Sequence, residues 1–190
     1  MELKEKSIYY PPGGILIWII IYLELITFGI AILALAYYGS KDRELFHNSS
    51  LQLNKTIGTI NTILLLTSGF LVAKGIQSFK EQHIKNTLLF FNWAIVGGFG
   101  FLILKSAEYY EKLEVGLTMD YNSFFTFYWL LTGFHFIHVI VGVVILITIA
   151  FSIRKKQTQA SFEDTEASAS FWHMCDLIWL ILFPVLYLIF

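Results

Sequence analysis

The stretch from Tyr121 to Ile153 reads YNSFFTFYWLLTGFHFIHVIVGVVILITIAFSI and contains no Asp, Glu, Lys or Arg over thirty-three residues. A helix crosses ~30 Å of hydrocarbon with about 20 apolar residues, so this run is long enough to span a membrane. His135 and His138 lie three residues apart near its centre. Because titratable groups are costly at that depth, the pair indicates ligation, proton handling or helix packing.

Four more apolar runs flank this one. Of the 190 residues, 56% are hydrophobic and 14% are charged, whereas a soluble domain has roughly 25% charged residues. We predict an all-α bundle of five transmembrane helices that forms a single membrane domain, because lipid-exposed strands would alternate in hydrophobicity and have to close a barrel. The predicted spans are residues 14–38, 55–79, 87–108, 123–152 and 168–190.

The composition also excludes several classes of protein. Cys175 is the single cysteine, which rules out an internal disulfide and a cysteine-ligated cluster. The net charge is −1 with 13 basic residues spread along the chain, so we expect no nucleic-acid partner. The first apolar run is too long for the apolar core of a signal peptide and is predicted to be a retained span.

The basic residues predict how the spans are oriented. Five spans place the termini on opposite sides of the membrane. With a cytoplasmic N-terminus, eight basic residues lie on the cytoplasmic side and five on the other. The cytoplasmic set is Lys4, Lys6, Lys74, Lys80, Lys85, Arg154, Lys155 and Lys156, and the outer set is Lys41, Arg43, Lys55, Lys105 and Lys112. The positive-inside rule therefore favours a cytoplasmic N-terminus and an outer C-terminus.

Glu24 is the most unusual residue of the first span, because it lies near the predicted midplane. A central carboxylate costs about 2.5–3.5 kcal/mol on insertion scales. A rise of about 1.5 Å per residue puts His138 at a similar depth, so we predict that His138 is its partner. Glu24 is then either a proton-linked or lipid-contacting site, or a residue that hydrogen-bonds a neighbouring helix.

Thr132, His135, His138 and Gly142 form one stripe along the fourth span. The stripe could carry a haem or metal site, or it could be a face of small and polar residues for helix packing. Axial haem ligands come from opposite sides of the macrocycle, whereas these two histidines share one face. His173 on the fifth span is the remaining intramembrane histidine that could complete a site.

Other polar and aromatic residues have local interpretations. Lys105 and Glu108 are predicted to form an interfacial ion pair that Asn61 could join, and Trp18 and Trp172 are predicted interface anchors. His173 and Asp176 share a helix face at a spacing of three residues. The candidate polar sites linked to protons or lipids are Glu24, His135, His138, His173, Asp176, Glu108 and Lys105.

Four motifs resemble one family. They are TGFHFIHVIVG (residues 132–142), FWHMCDLIW (171–179), AEYYEKL (107–113) and NTILLLTSG (61–69). The first resembles the T-G-F-H-x-x-H-V-x-x-G signature of subunit III of haem–copper respiratory oxidases, and the others resemble further family segments in the same order. The likeness is to the five-helix form, which lacks the first two helices of the seven-helix type. It places Glu24 on the family's intramembrane glutamate.

Two details resemble the branch associated with bacterial nitric oxide reductases. Lys105 stands where oxidase subunits usually have Gln, and LFPVLYL (182–188) ends the fifth span with a proline. The resemblance thus implies either an oxidase or a nitric oxide reductase complex, the latter acting in denitrification.

The resemblance implies a respiratory accessory subunit without catalytic, cofactor-binding or metal-ligating residues. Haem and copper or iron would lie in a catalytic partner subunit. This chain would bind that subunit and phospholipid, and support assembly and proton uptake in a bacterial cytoplasmic membrane. Two alternatives remain: a small b-type haem protein that uses His135 or His138 with His173, and a proton-coupled transporter centred on Glu24.

Overall fold

The computed structural model describes residues 11, 13–155 and 161–190, and over this part of the chain it contains helices and no strands. The helices are α1 (Ile15–Lys41), α2 (Arg43–Ser50), α3 (Lys55–Lys80), α4 (Ile84–Glu114), α5 (Ser123–Arg154) and α6 (Phe162–Tyr187). All except α2 are long and apolar enough to cross a membrane. The prediction of five spanning helices is therefore confirmed. Lys4, Lys6 and Lys156, which were used to predict the orientation, lie outside the described residues.

Most of the long helices extend beyond their predicted spans. α4 continues to Glu114, and α6 begins at Phe162 rather than at residue 168. The physical reason is that charged residues end an apolar run but do not end a helix. At the start of α6, Ser161 and Asp164 form a capping box that satisfies free backbone N–H groups. The helix therefore continues through a polar segment.

The short helix α2 was not predicted. Asp42 caps it by accepting a hydrogen bond from the backbone N–H of Leu45. Phe46 is fully buried, and its ring centroid lies 5.5 Å from that of Phe124 and 5.2 Å from that of Phe190. α2 thus packs Phe46, with Leu45 beside it, against the end of the bundle where α5 begins and α6 ends. Eight residues with two adjacent apolar side chains give too weak a periodic pattern to detect in the sequence.

The bundle is organised around α6. This helix packs against α3, α5 and α1, while α4 packs against α3 and α5. α6 is the most enclosed of the spanning helices, whereas α1 is the least enclosed and contacts the bundle along one side. Residues of α6 can therefore meet partners on several helices, and α1 can present side chains at a more open edge.

Glycines allow α6 to approach its neighbours. A Cβ atom placed on Gly98 would lie 2.7 Å from the Trp172 ring, and one on Gly142 would lie 2.8 Å from the same ring. Trp172 is fully buried in the slot between these two glycines. The prediction that Trp172 anchors the membrane interface is therefore wrong, because α4 and α5 enclose the ring.

Candidate functional site

Glu24 and His138 meet between α1 and α5. The Glu24 Oε2 atom lies 3.2 Å from His138 Nε2, and the side chains are 23% and 11% exposed respectively. The pairing predicted from depth is therefore confirmed. No hydrogen bond from Glu24 Oε2 to a described residue accompanies this contact.

The other nitrogen of His138 determines what this contact requires. His138 Nδ1 lies 2.8 Å from the carbonyl oxygen of Phe134, one turn earlier on α5. A carbonyl oxygen can only accept, so Nδ1 carries a proton and donates it. Nε2 then faces Glu24 with a lone pair unless the ring is charged. The contact is attractive when a proton lies on either facing atom, so the pair can hold one proton between a carboxyl and an imidazole.

His135 lies on the same stripe but in different surroundings. It is fully buried, and its ring stacks on Trp179 with centroids 5.3 Å apart. Phe101 and Phe28 pack edge-to-face with the same imidazole, with ring centroids 5.7 and 6.4 Å from its own. Neither ring nitrogen makes a hydrogen bond to a described residue. His135 is held by aromatic packing.

His173 and Asp176 form a third pair, on the side of α6 that faces α3. His173 Nδ1 lies 3.5 Å from Asp176 Oδ2, with the imidazole 45% and the carboxylate 9% exposed. Among the described residues, no three His, Cys, Asp or Glu side chains are grouped so that they could hold a metal ion. His138 and His173 each pair with a different carboxylate, whereas His135 is enclosed by aromatic rings. Phe28 packs edge-to-face with both His135 and His138.

The most extensive polar cluster surrounds Lys105 on α4. Lys105 Nζ donates to Glu108 Oε2 at 3.1 Å, to the Tyr128 hydroxyl at 3.1 Å and to the Tyr187 hydroxyl at 2.8 Å. Both hydroxyls donate in turn to Glu108 Oε1, at 3.0 Å from Tyr128 and 2.7 Å from Tyr187. The three ammonium protons and both carboxylate oxygens are therefore used. This network ties α4, α5 and α6 together.

The network is buried, and it also contacts aromatic rings. Lys105 and Glu108 are both fully buried, and Lys105 Nζ lies 5.0 Å from the Tyr109 ring centroid and 5.4 Å from that of Trp179. The predicted ion pair between Lys105 and Glu108 is confirmed, but α5 and α6 cover it, so it is not exposed at an interface as predicted. Asn61 does not join the network, since its amide is buried without a hydrogen bond to any described residue.

Sequence reasoning missed Tyr128 and Tyr187 as members of this site. Tyr128 lies four residues before Thr132 and so belongs to the polar stripe already identified on α5. Tyr187 lies near the end of α6, within the proline-containing segment at residues 182–188. One signal could have indicated them. A buried lysine ammonium has three protons to donate, and Glu108 offers only two oxygens, so further acceptors such as tyrosine hydroxyls are needed.

Comparison with known proteins supplies the family. The family model described as Cytochrome c oxidase subunit III matches residues 51–189. Cytochrome c oxidase subunit 3 of Salmo salar is 35% identical over 129 residues, which are 67% of this chain and 48% of that protein. The Synechocystis cytochrome c oxidase subunit 3 is 30% identical over 132 residues, 68% of this chain and 55% of that protein.

A third relative matches over more of its length. Cytochrome bo(3) ubiquinol oxidase subunit 3 of Buchnera aphidicola is 26% identical over 174 residues, 90% of this chain and 84% of that protein. This chain therefore spans about half the length of the two cytochrome c oxidase subunits and most of the ubiquinol oxidase subunit. With its five apolar helices, the chain is an integral membrane protein that belongs to the cytochrome c oxidase subunit III family.

Proposed function

We propose that this chain is an accessory subunit of a haem–copper terminal oxidase or a nitric oxide reductase complex in a bacterial cytoplasmic membrane. It holds no redox centre, and its N-terminus faces the cytoplasm. The catalytic subunit carries the haem together with copper or iron. Family membership supports this function, since the relatives are third subunits of cytochrome c and ubiquinol oxidases.

One observation carries the cofactor-free role: each intramembrane histidine has a different main partner. His138 contacts Glu24, His173 contacts Asp176, and His135 packs on aromatic rings. Two axial haem ligands have to face each other across one macrocycle. Here the His138 ring contacts Glu24, the His173 ring contacts a residue of its own helix, and the His135 ring stacks on Trp179. The alternative of a small b-type haem protein is therefore disfavoured by the packing.

The nitric oxide reductase branch is supported by a contact between its two distinguishing features. Lys105 replaces the usual Gln, and the segment with Pro184 ends α6. Tyr187, three residues after this proline, accepts a hydrogen bond from Lys105 at 2.8 Å. The lysine and the altered end of α6 thus form one structural unit, as expected if they arose together in a sub-branch.

The Glu24–His138 pair supports a role in proton uptake or lipid binding. Both side chains lie at the open α1 edge of the bundle and remain partly exposed. A carboxyl–imidazole pair at the lateral edge of the bundle suits local proton handling for a neighbouring subunit. Phospholipid would cover the adjacent apolar face of α1.

The proposal is tested by purifying the tagged chain from its native membrane in mild detergent. We expect a haem-containing subunit to co-purify, with consumption of oxygen or nitric oxide identifying the complex. The proposal would be contradicted if none of the proteins that co-purify with the chain contained haem. A Soret band from the separately purified chain would favour the b-type haem alternative, and proton-coupled flux in liposomes that is lost in Glu24→Gln would favour the transporter alternative.

A further inference from the structure

A groove with a volume of about 300 Å³ runs between α3 and α6 on the outside of the bundle. Its two walls are Leu66, Phe70 and Ala73 of α3, and His173, Leu177 and Leu180 of α6. In both walls the residues are spaced i, i+4 and i+7, which places them in one row along each helix. The space between two such rows has the shape that a third helix fills when its side chains pack against both helices.

The floor of the groove is polar. Gly69 of α3 lies directly against the Asp176 carboxylate, and a Cβ atom at this position would collide with Oδ2. Asp176 is 7% exposed, and its Oδ1 atom has no hydrogen bond to a described residue. The imidazole of His173 stands above the carboxylate and is 45% exposed. The groove therefore combines apolar walls with an accessible imidazole oriented by a buried carboxylate.

The depth of this pair limits what can occupy the groove. Asp176 lies ten residues from Glu166, the nearest other charged residue of α6, which is about 15 Å along the helix. Gly69 lies five residues from Lys74 on α3, or about 7.5 Å. The acyl chains of lipids offer no hydrogen bond. A lipid tail in the groove would leave the imidazole without a polar partner.

The side chain that fits has to form a hydrogen bond with His173 Nε2. His173 Nδ1 faces a carboxylate, which accepts, so Nδ1 is the donor nitrogen and Nε2 accepts in the neutral ring. The contact with Asp176 uses Nδ1 and leaves Nε2 for another partner. A hydroxyl or amide group on a neighbouring helix can donate to it, and such groups are common where membrane helices pack.

We infer that the α3–α6 groove docks a transmembrane helix of the catalytic subunit, which presents a hydroxyl or amide side chain to His173 between apolar residues. This inference rests on the proposed function for the existence of that subunit. It adds which face of the chain makes the contact and which side chain orients it. It also explains why a half-exposed histidine is maintained on an otherwise apolar outer surface.

Photo-cross-linking in native membranes tests the inference. Phe70→p-benzoylphenylalanine places the cross-linker in the groove, and Phe151→p-benzoylphenylalanine places it on α5 at similar exposure, 56% against 61%. We expect a light-dependent product between the Phe70 variant and the haem-carrying subunit, and several-fold less from the Phe151 variant. Lipid adducts alone from the Phe70 variant, or a product with any other protein, would overturn the inference.

Filling the groove gives a second measurement. Leu177→Trp narrows the groove, and Ile147→Trp on α5 is the matched control, since these side chains are 46% and 40% exposed. We expect haem per purified chain to fall several-fold for Leu177→Trp and for His173→Leu, and to stay unchanged for Ile147→Trp. Equal haem in all variants would overturn the inference while leaving the proposed function intact. If no haem protein co-purifies with the chain that carries no substitution, the proposed function itself is contradicted.

Discussion

The Lys105 cluster and the Glu24–His138 pair show two ways of holding titratable side chains inside a membrane protein. Lys105 and Glu108 are fully buried, and every strong donor and acceptor between them is used. Glu24 and His138 remain partly exposed and share one contact of 3.2 Å. A saturated network in a low-dielectric interior fixes the structure, because losing any member leaves a buried group unpaired. A single contact at an open edge can change its protonation without disrupting the bundle.

The largest expected effect is the loss of the Lys105 ammonium. Lys105→Met leaves Glu108 charged, buried and supported by two tyrosine hydroxyls, and removing one partner of a buried ion pair costs about 3–5 kcal/mol. The measurement is the free energy of unfolding in detergent. The double variant Lys105→Met/Glu108→Gln removes both charges and is expected to recover most of the loss. A single variant as stable as the unaltered chain would show that the network carries little of the stability.

A smaller effect is expected from the hydroxyl that joins α6 to the network. Tyr187→Phe keeps the ring and removes a donor to Glu108 and an acceptor for Lys105, and an unsatisfied buried group costs about 1–3 kcal/mol. Tyr110→Phe is the matched control, because Tyr110 lies on α4 with 63% of its surface exposed. We expect no measurable loss of stability there. Equal losses in the two variants would indicate a general effect of removing hydroxyls.

The open pair is expected to contribute little to stability. Even a full interhelical hydrogen bond in a membrane is worth about 0.6 kcal/mol on average, so Glu24→Gln should change the free energy of unfolding by no more than about that amount. The same variant should reduce turnover of the assembled complex or its stability during turnover, if the pair handles protons for the partner. A loss of stability as large as that of Lys105→Met would remove the distinction between the two regions.

The sequence predicted the parts of the structure that depend on apolar runs and on helical spacing. The spanning helices follow from the lengths of the uncharged runs, and the pairing of Glu24 with His138 follows from equal depth at about 1.5 Å per residue. Helix ends were less accurate, because polar turns such as the capped start of α6 continue a helix outside the apolar run.

What the sequence could not supply is the rotation of each helix about its own axis. Its position in the sequence puts Lys105 near one end of α4. A lysine at that point could face the membrane interface or the interior of the helix bundle. The structure turns it inward, where Tyr128 and Tyr187 from two other helices meet it. Trp172 was misplaced for the same reason, since the slot that buries it is formed by glycines on two different helices.

The smallest expected change is spectroscopic, and it tests the open pair directly. Replacing His138 with Phe removes the imidazole 3.2 Å from Glu24 Oε2 while keeping a ring between α1 and α5, so the titration of the Glu24 carboxyl should change. Infrared difference spectroscopy of the carboxyl stretching band follows that titration, and Glu24→Gln identifies the band by its absence. Val144→Phe on the outer face of α5 is the control for adding a ring. If Glu24 titrates identically in the unaltered chain and in His138→Phe, the two side chains are neighbours without coupling, and proton handling has to be assigned elsewhere.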